Sequence, residues 1–85
     1  MKYKYIPIVS REGESSIRVA HCFESLDNGL YYVQSLDYIH LNGDTSKQIV
    51  DIITRGIELF SEVPLDERTS GFEDINDALL DLENG

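Results

Sequence analysis

The sequence has 85 residues, of which 41% are hydrophobic and 27% are charged. A chain of this length buries only about 60% of the surface that its unfolded form exposes, so we expect residues 1–85 to form a single domain with one modest core. The composition lies in the ordinary globular range, which excludes a wholly disordered chain. Sixteen acidic residues against seven basic ones make a formal net charge of −9. This charge disfavours nucleic acids and anionic membrane surfaces as direct partners and favours a basic protein.

The single cysteine, Cys22, has no partner for an intramolecular disulfide. Small secreted domains usually rely on several disulfides, so one cysteine favours a reducing compartment. The residues that follow Met1 contain no apolar signal core, and no stretch of the sequence approaches the length needed to cross a membrane. We therefore expect a cytoplasmic protein that does not span a membrane.

Three segments have the composition of β-strands. Residues 3–9 are rich in aromatic and β-branched types, and Pro7 lacks a backbone donor, which places this strand at a sheet edge. Residues 17–24 alternate between two sets of side chains, the pattern of a strand with two different faces. Turn-forming residues at 26–29 then lead into a long extended run over residues 30–41. The second and third strands are therefore predicted to form an antiparallel hairpin.

Two helices are predicted in the second half of the chain. Thr45 and Gln48 have the spacing of a capping box, in which each residue satisfies a free backbone donor of the other. The apolar residues that follow recur at intervals of three and four, which is typical of one buried helical face. These residues are Ile49, Ile52, Ile53, Gly56, Ile57 and Phe60. A second capping box, Ser70 with Glu73, predicts another helix over residues 71–82.

The order β-β-β-α-α predicts an α+β domain in which two helices pack on one face of a three-stranded antiparallel sheet. Tyr31 and Tyr32 alternate across the predicted third strand, so at least one of them should lie on the open face. Tyrosine is frequent at interface hot spots, which makes both residues candidates for partner binding. Half-buried tyrosine on a strand is also common, and that interpretation stays open.

The sequence contains no catalytic or metal-binding motif. The only soft metal ligands are His21, Cys22 and His40, and the adjacent residues 21 and 22 point to opposite faces of a strand. Phosphate-binding loops, nucleophile elbows and paired Cys or His ligands are absent from the sequence. We expect no enzymatic activity, no metal and no cofactor, with Cys22 behaving as a small buried apolar residue.

The acidic residues are concentrated towards the C-terminal end. Residues 62–85 carry eight acidic side chains and one basic residue, Arg68. Four of the acids lie within about a quarter-turn of the predicted second helix, opposite its apolar stripe, and two more precede the helix in a polar linker. These six candidate partner-binding residues are Glu73, Asp74, Asp77, Asp81, Asp66 and Glu67. A solvated face that only keeps the protein soluble would have the same pattern.

In its size, acidity and lack of catalytic motifs, the chain resembles the small immunity proteins of bacterial toxin–immunity systems, such as contact-dependent growth inhibition and colicin systems. The resemblance implies an acidic surface that covers a basic toxin nuclease domain, and the six acids above are the candidates for that surface. Two alternatives remain. One is a small regulatory or accessory subunit, which could form a homodimer through the edge strand at residues 3–9. The other is an enzyme with an unrecognised site.

Overall fold

The computed structural model describes residues 1–84, in which three strands precede three helices. The strands are β1 (Tyr3–Glu12), β2 (Ser16–Ser25) and β3 (Tyr31–His40), and the helices are α1 (Thr45–Glu62), α2 (Leu65–Arg68) and α3 (Ile75–Asn84). The strands form one antiparallel sheet in the order β1-β2-β3. The α+β class, the three-stranded antiparallel sheet and the β-β-β-α order are confirmed, and β1 lies at an edge as predicted.

Both hairpins close through short turns. The first turn covers only residues 13–15, so β1 and β2 extend beyond the predicted strands at residues 3–9 and 17–24. Gly13 has a φ of 70° and Gly29 in the second turn has a φ of 75°. Glycine adopts these left-handed values without the steric penalty of a Cβ. The glycines therefore allow the chain to reverse within a few residues.

The helices lie on opposite faces of the sheet, so the prediction that both pack on one face is wrong. Ile52 of α1 packs against Val19 in one buried cluster. Ala78 of α3 packs against Ala20 and Cys22 in another. Val19 and Ala20 are neighbours on β2, and successive strand residues point to opposite faces. Both faces of β2 therefore carry apolar side chains, and each face needs a helix to bury them.

The first helix is confirmed, but its predicted capping box does not form. The N-cap residue is Asp44, whose carboxylate accepts a hydrogen bond of 3.1 Å from the backbone N–H of Lys47. The side-chain amide of Gln48 instead reaches back to β3. It accepts from the backbone N–H of His40 at 2.8 Å and donates to the carbonyl of the same residue at 2.9 Å. Gln48 therefore ties the start of α1 to the end of the sheet.

Only two residues of α1, Ile52 and Gly56, are buried. Three residues predicted for the core, Ile49, Ile53 and Ile57, are between 39% and 44% exposed. The prediction that these three residues are buried is wrong, because the sheet covers only part of the apolar arc of α1. The helix packs mainly towards β3 and leaves a groove above the edge strand.

The region predicted as a linker contains the short helix α2. Its Leu65 is 2% exposed and packs with Phe23 and Tyr32 on the same face as α1. The guanidinium of Arg68 donates to the side-chain oxygen of Gln34 at 2.8 Å. This segment is therefore part of the domain, because its one apolar residue completes a buried cluster.

The third helix begins at Ile75 rather than at residue 71, and the predicted pair of Ser70 and Glu73 does not cap it. Phe72 is extended and exchanges two backbone hydrogen bonds, of 2.7 and 2.9 Å, with Tyr31 of β3. This pairing holds the chain out of helical geometry and carries it around the edge of the sheet. Asp74 then directly precedes α3, which packs on the face of the sheet opposite α1.

Candidate partner-binding surface

The exposed side of α3 and the residues just before it form the main acidic surface of the chain. We call it the α3 acidic surface and define it as Glu73, Asp74, Asp77 and Asp81, all of which are exposed. Within residues 1–84, no ion pair involves any of these four carboxylates. The opposite side of α3 is held against the sheet by the buried Ala78 and its partly buried neighbours. A packed helix therefore presents these charges to solvent.

Asp74 also has a structural role in this group. Its carboxylate accepts a hydrogen bond of 2.7 Å from the backbone N–H of Asn76, and its carbonyl accepts one of 3.2 Å from Ala78. These contacts satisfy free donors at the helix start, as an N-cap residue does. The remaining three acids of the surface have no such role.

The two candidate tyrosines point to opposite faces of the sheet, as expected, but neither face is open. Tyr32 is 5% exposed and makes an edge-to-face contact with Tyr3, with ring centroids 6.1 Å apart. Tyr31 is half-buried on the α3 side. The nearby carboxylate of Glu24 raises the pKa of the Tyr31 hydroxyl, with smaller contributions that include Asp74. Only Tyr31 therefore lies near the α3 acidic surface, while Tyr32 is a core residue.

Asp66 and Glu67 are exposed in the first turn of α2. Their helix packs on the α1 face of the sheet, whereas α3 covers the other face. Burial raises the pKa of the Tyr3 hydroxyl, and the charge of Asp66 contributes to the same shift. The structure thus groups Glu73, Asp74, Asp77 and Asp81 with Tyr31, and it does not bring Asp66, Glu67 or Tyr32 into that group.

Arg18 neutralises the C-terminal end of α3. Its guanidinium lies 2.6 Å from the carboxylate of Glu83 and 3.6 Å from that of Glu12. This contact joins the helix to the first hairpin and places a positive charge near the negative end of the helix dipole. Glu83 therefore differs from the four acids of the α3 acidic surface, which have no ion-pair partner within residues 1–84.

A chain of polar side chains, buried at His21 and exposed at Arg55, lies between the sheet and α1 and was not predicted from the sequence. The hydroxyl of Tyr5 lies 2.6 Å from His21 Nδ1, and His21 Nε2 lies 2.8 Å from the Asp37 carboxylate. A carboxylate only accepts hydrogen bonds, so Nε2 donates to Asp37, and in the neutral ring Nδ1 accepts from Tyr5. Arg55 of α1 continues the chain, 3.4 Å from Asp37.

The imidazole at the centre of this polar chain is enclosed. The side chain of His21 is fully buried, and α1 covers it at Gly56, where an added Cβ would lie 2.9 Å from Nδ1. No reactant can approach the imidazole through that contact. Burial raises the pKa of the Tyr5 hydroxyl, and the charge of Asp37 adds to the shift. Two features of the sequence could have indicated this contact. His21 lies within an alternation of apolar residues, and Gly56 lies within the apolar stripe of a helix.

The second feature not predicted from the sequence is an exposed apolar area on the α1 side. We call it the α1 apolar surface and define it as Ile49, Val50, Ile53 and Ile57 of α1 with Pro7 and Val9 of β1. Val50 and Val9 are 64% and 65% exposed. Between α1 and the sheet this surface dips into a groove of about 290 Å³, lined entirely by apolar residues. Apolar residues so concentrated at a surface usually mark an interaction site.

No protein-family model, curated protein or solved structure matches the chain. Among residues 1–84, no three His, Cys, Asp or Glu side chains are grouped so that they could hold a metal ion. None of the helices in this part of the chain is both long enough and apolar enough to cross a membrane. The α3 acidic surface and the α1 apolar surface are the two features of the described residues that bear on function.

Proposed function

We propose that the chain is an acidic, non-catalytic binding module that neutralises a basic protein partner, in the manner of an immunity protein that blocks a toxin nuclease in the bacterial cytoplasm. The observation that carries this proposal is the α3 acidic surface. Its carboxylates are exposed and form no ion pairs within residues 1–84. Asp77 and Asp81 lie on α3, whose other side is packed against the sheet, and Glu73 and Asp74 directly precede this helix.

The spacing of these charges has a local energetic cost. Asp77 and Asp81 are four residues apart on α3, and like charges at this spacing destabilise a helix by about 0.2–0.5 kcal/mol. Of the seven basic residues in the chain, only Arg18 forms an ion pair with α3 in the described structure. A positively charged partner would relieve the repulsion that the chain itself leaves in place.

A nuclease is a suitable target for such a surface. Nuclease surfaces that hold a nucleic acid backbone are rich in Lys and Arg, because these side chains neutralise phosphates. Carboxylates held on a rigid helix can pair with the same side chains. The net charge of −9 would accelerate encounter with such a surface through long-range attraction.

Copurification from the native cell at low ionic strength tests the class of partner. A tagged chain should retain a basic protein, and raising the salt concentration should release it, since attraction between exposed charges is screened. Retention of a nucleic acid, or of an acidic protein whose binding is insensitive to salt, would refute the proposal.

With a partner in hand, the double variant Asp77→Asn/Asp81→Asn tests the surface. The change keeps side-chain shape while removing two charges, so association should slow and its salt dependence should become shallower. The matched control is Asp51→Asn/Glu62→Gln, which removes two exposed carboxylates from α1 on the other face. Equal affinities and equal salt dependence for both double variants would show that the α3 acidic surface only solubilises the protein.

A further inference from the structure

We propose that the free edge of β1 binds an extended, acidic peptide segment, which adds to the sheet as a fourth strand. The occupant is a segment of another protein, with apolar strand-forming residues in its middle and carboxylates at both ends. The inference does not rest on the proposed function, because the edge of β1 shares no residue with the α3 acidic surface. Its basis is the direction of the backbone groups of β1, the state of the two sheet edges and the charge along β1.

The first observation is the direction of the backbone groups of β1. The register with β2 continues to Lys2, whose carbonyl accepts a hydrogen bond of 2.9 Å from the backbone N–H of Leu26. Hydrogen-bonded and non-hydrogen-bonded pairs alternate along an antiparallel ladder. The even-numbered residues of β1 therefore bond to β2, and the odd-numbered residues direct their backbone groups away from the sheet. Pro7 is one of the latter, so its missing N–H removes no hydrogen bond between β1 and β2.

The second observation is a difference between the two edges of the sheet. On the β3 edge, the side chain of Gln48 holds both backbone groups of His40, and the backbone of Phe72 holds both of Tyr31. That edge is therefore closed at both ends. Within residues 1–84, the backbone of β1 has no hydrogen-bond partner other than β2. An uncovered edge strand of 10 residues is a template for pairing with another chain.

The third observation is the charge along this edge. Residues 1–11 contain three bases, Lys2, Lys4 and Arg11, and no acid, although the whole chain carries a net charge of −9. All three bases are exposed, and none of them forms an ion pair within the part of the chain that the structure describes. Between them, residues 5–9 are apolar or aromatic. Charge complementarity therefore favours a segment with carboxylates at both ends and an apolar middle.

Lysine and proline on an edge strand also protect it from unwanted pairing, and here they act against a second copy of the chain. In a symmetric pair of β1 strands, each copy would lack the N–H of Pro7, whereas an unrelated strand meets this gap only once. Each copy would also bring its three bases against a single acid of the other, Glu12, whose carboxylate already lies 3.6 Å from the guanidinium of Arg18. Two β1 edges therefore repel each other, while a strand with carboxylates is attracted.

NMR titration of the full chain with a synthetic peptide tests the proposal. The probe is as long as β1, with alternating valine and threonine in its middle and glutamates at both ends. The outward N–H groups of Tyr3, Tyr5 and Val9 should shift on binding. The inward N–H groups of Ile6 and Ile8 should shift less. A matched peptide with glutamine in place of glutamate should bind about threefold or more weakly. Equal affinities for the two peptides, or no shift of the outward groups, would overturn the proposal.

Methylating the peptide N–H groups of the probe distinguishes strand addition from attraction between charges alone. Only one of the two alternating sets of N–H groups in an added strand faces β1. Methylating that set should abolish binding, whereas methylating the other set should leave most of it. An equal effect of both sets would mean that the peptide does not lie along β1 as a strand, and the proposal would be wrong.

Lys4→Gln tests the charge of the edge. It should weaken binding of the acidic peptide by about two- to fivefold, which is the contribution of one exposed ion pair. Lys47→Gln is the matched control, because it removes the same charge from an exposed position on α1. Equal losses from the two substitutions would overturn the proposal. So would tighter binding of a short oligonucleotide than of the peptide at the same N–H groups, or self-association of the chain through them. None of these measurements needs a basic partner, so their failure is distinct from a failure of the proposed function.

Discussion

Replacing Gly56 with alanine should destabilise the domain, although the same change in an ordinary helix stabilises it. Alanine exceeds glycine in helix propensity by about 1 kcal/mol. Against this gain, the new Cβ would lie 2.9 Å from His21 Nδ1 and 3.0 Å from its Cε1. The imidazole cannot move aside freely, because its two nitrogens have partners at 2.6 and 2.8 Å.

The expected size follows from these opposing effects. Overpacking of a closed site costs about 1–3 kcal/mol, and displacing the ring from a hydrogen-bond partner costs about 1–3 kcal/mol more. After subtracting the gain of about 1 kcal/mol in helix propensity, the net loss should be about 1–5 kcal/mol. A domain of this size loses roughly 4–8 °C in Tm per kcal/mol, so both thermal and urea unfolding can measure the effect.

Substituting His21 tests whether its ring causes this loss of stability. In His21→Ala, the ring that obstructs the new Cβ is gone, so Gly56→Ala should become neutral or stabilising, and the double-mutant cycle should show strong coupling. Thr54→Ala, at an exposed position of α1, controls for helix propensity. If Gly56→Ala stabilises the otherwise unchanged protein by the full propensity difference, the contact between α1 and His21 does not constrain the fold as described.

Three further changes should give distinct results in urea denaturation. Ile52→Ala should cost about 2–5 kcal/mol because this side chain is 3% exposed, whereas Ile53→Ala should cost less than half as much because Ile53 is 39% exposed; equal losses would contradict the placement of α1. Burial raises the pKa of the Cys22 thiol from 9.0 to about 11, so the unfolded thiol ionises first and about 2–3 kcal/mol of stability should disappear between pH 9 and 11. Cys22→Ala should reduce that pH-dependent loss, and an unchanged slope would refute the assignment. Asp74→Ala should cost about 1 kcal/mol because it removes the N-cap of α3, whereas Ser70→Ala should cost almost nothing. A larger loss from Ser70→Ala than from Asp74→Ala would show that Ser70, as the sequence predicted, caps the helix.

The strands were predictable because their signals are local. Alternation over residues 17–24 and the turn formers that follow determine the second hairpin without reference to distant parts of the chain. The placement of the helices was not predictable in this way. Ala20 and Cys22 are too small to mark a face as buried, yet α3 covers both. Helix periodicity likewise identifies an apolar arc, but it does not show how much of that arc a narrow sheet covers.

Only part of the candidate surface was predictable, because only that part depends on local spacing in the sequence. Acids spaced along the predicted second helix fall on one side whichever residue starts it, so Asp77 and Asp81 lie together as expected. Asp66 and Glu67 could not be placed from the sequence, because their position depends on the chain crossing from one face to the other. That crossing requires Phe72 to pair with Tyr31, a contact between residues that are distant in sequence.

The placement of α1 and α3 on opposite faces has a consequence for stoichiometry. A partner that binds the α3 acidic surface leaves the α1 apolar surface uncovered on the opposite face of the sheet. One chain can therefore hold a basic protein on one side while its other side stays open to a second contact.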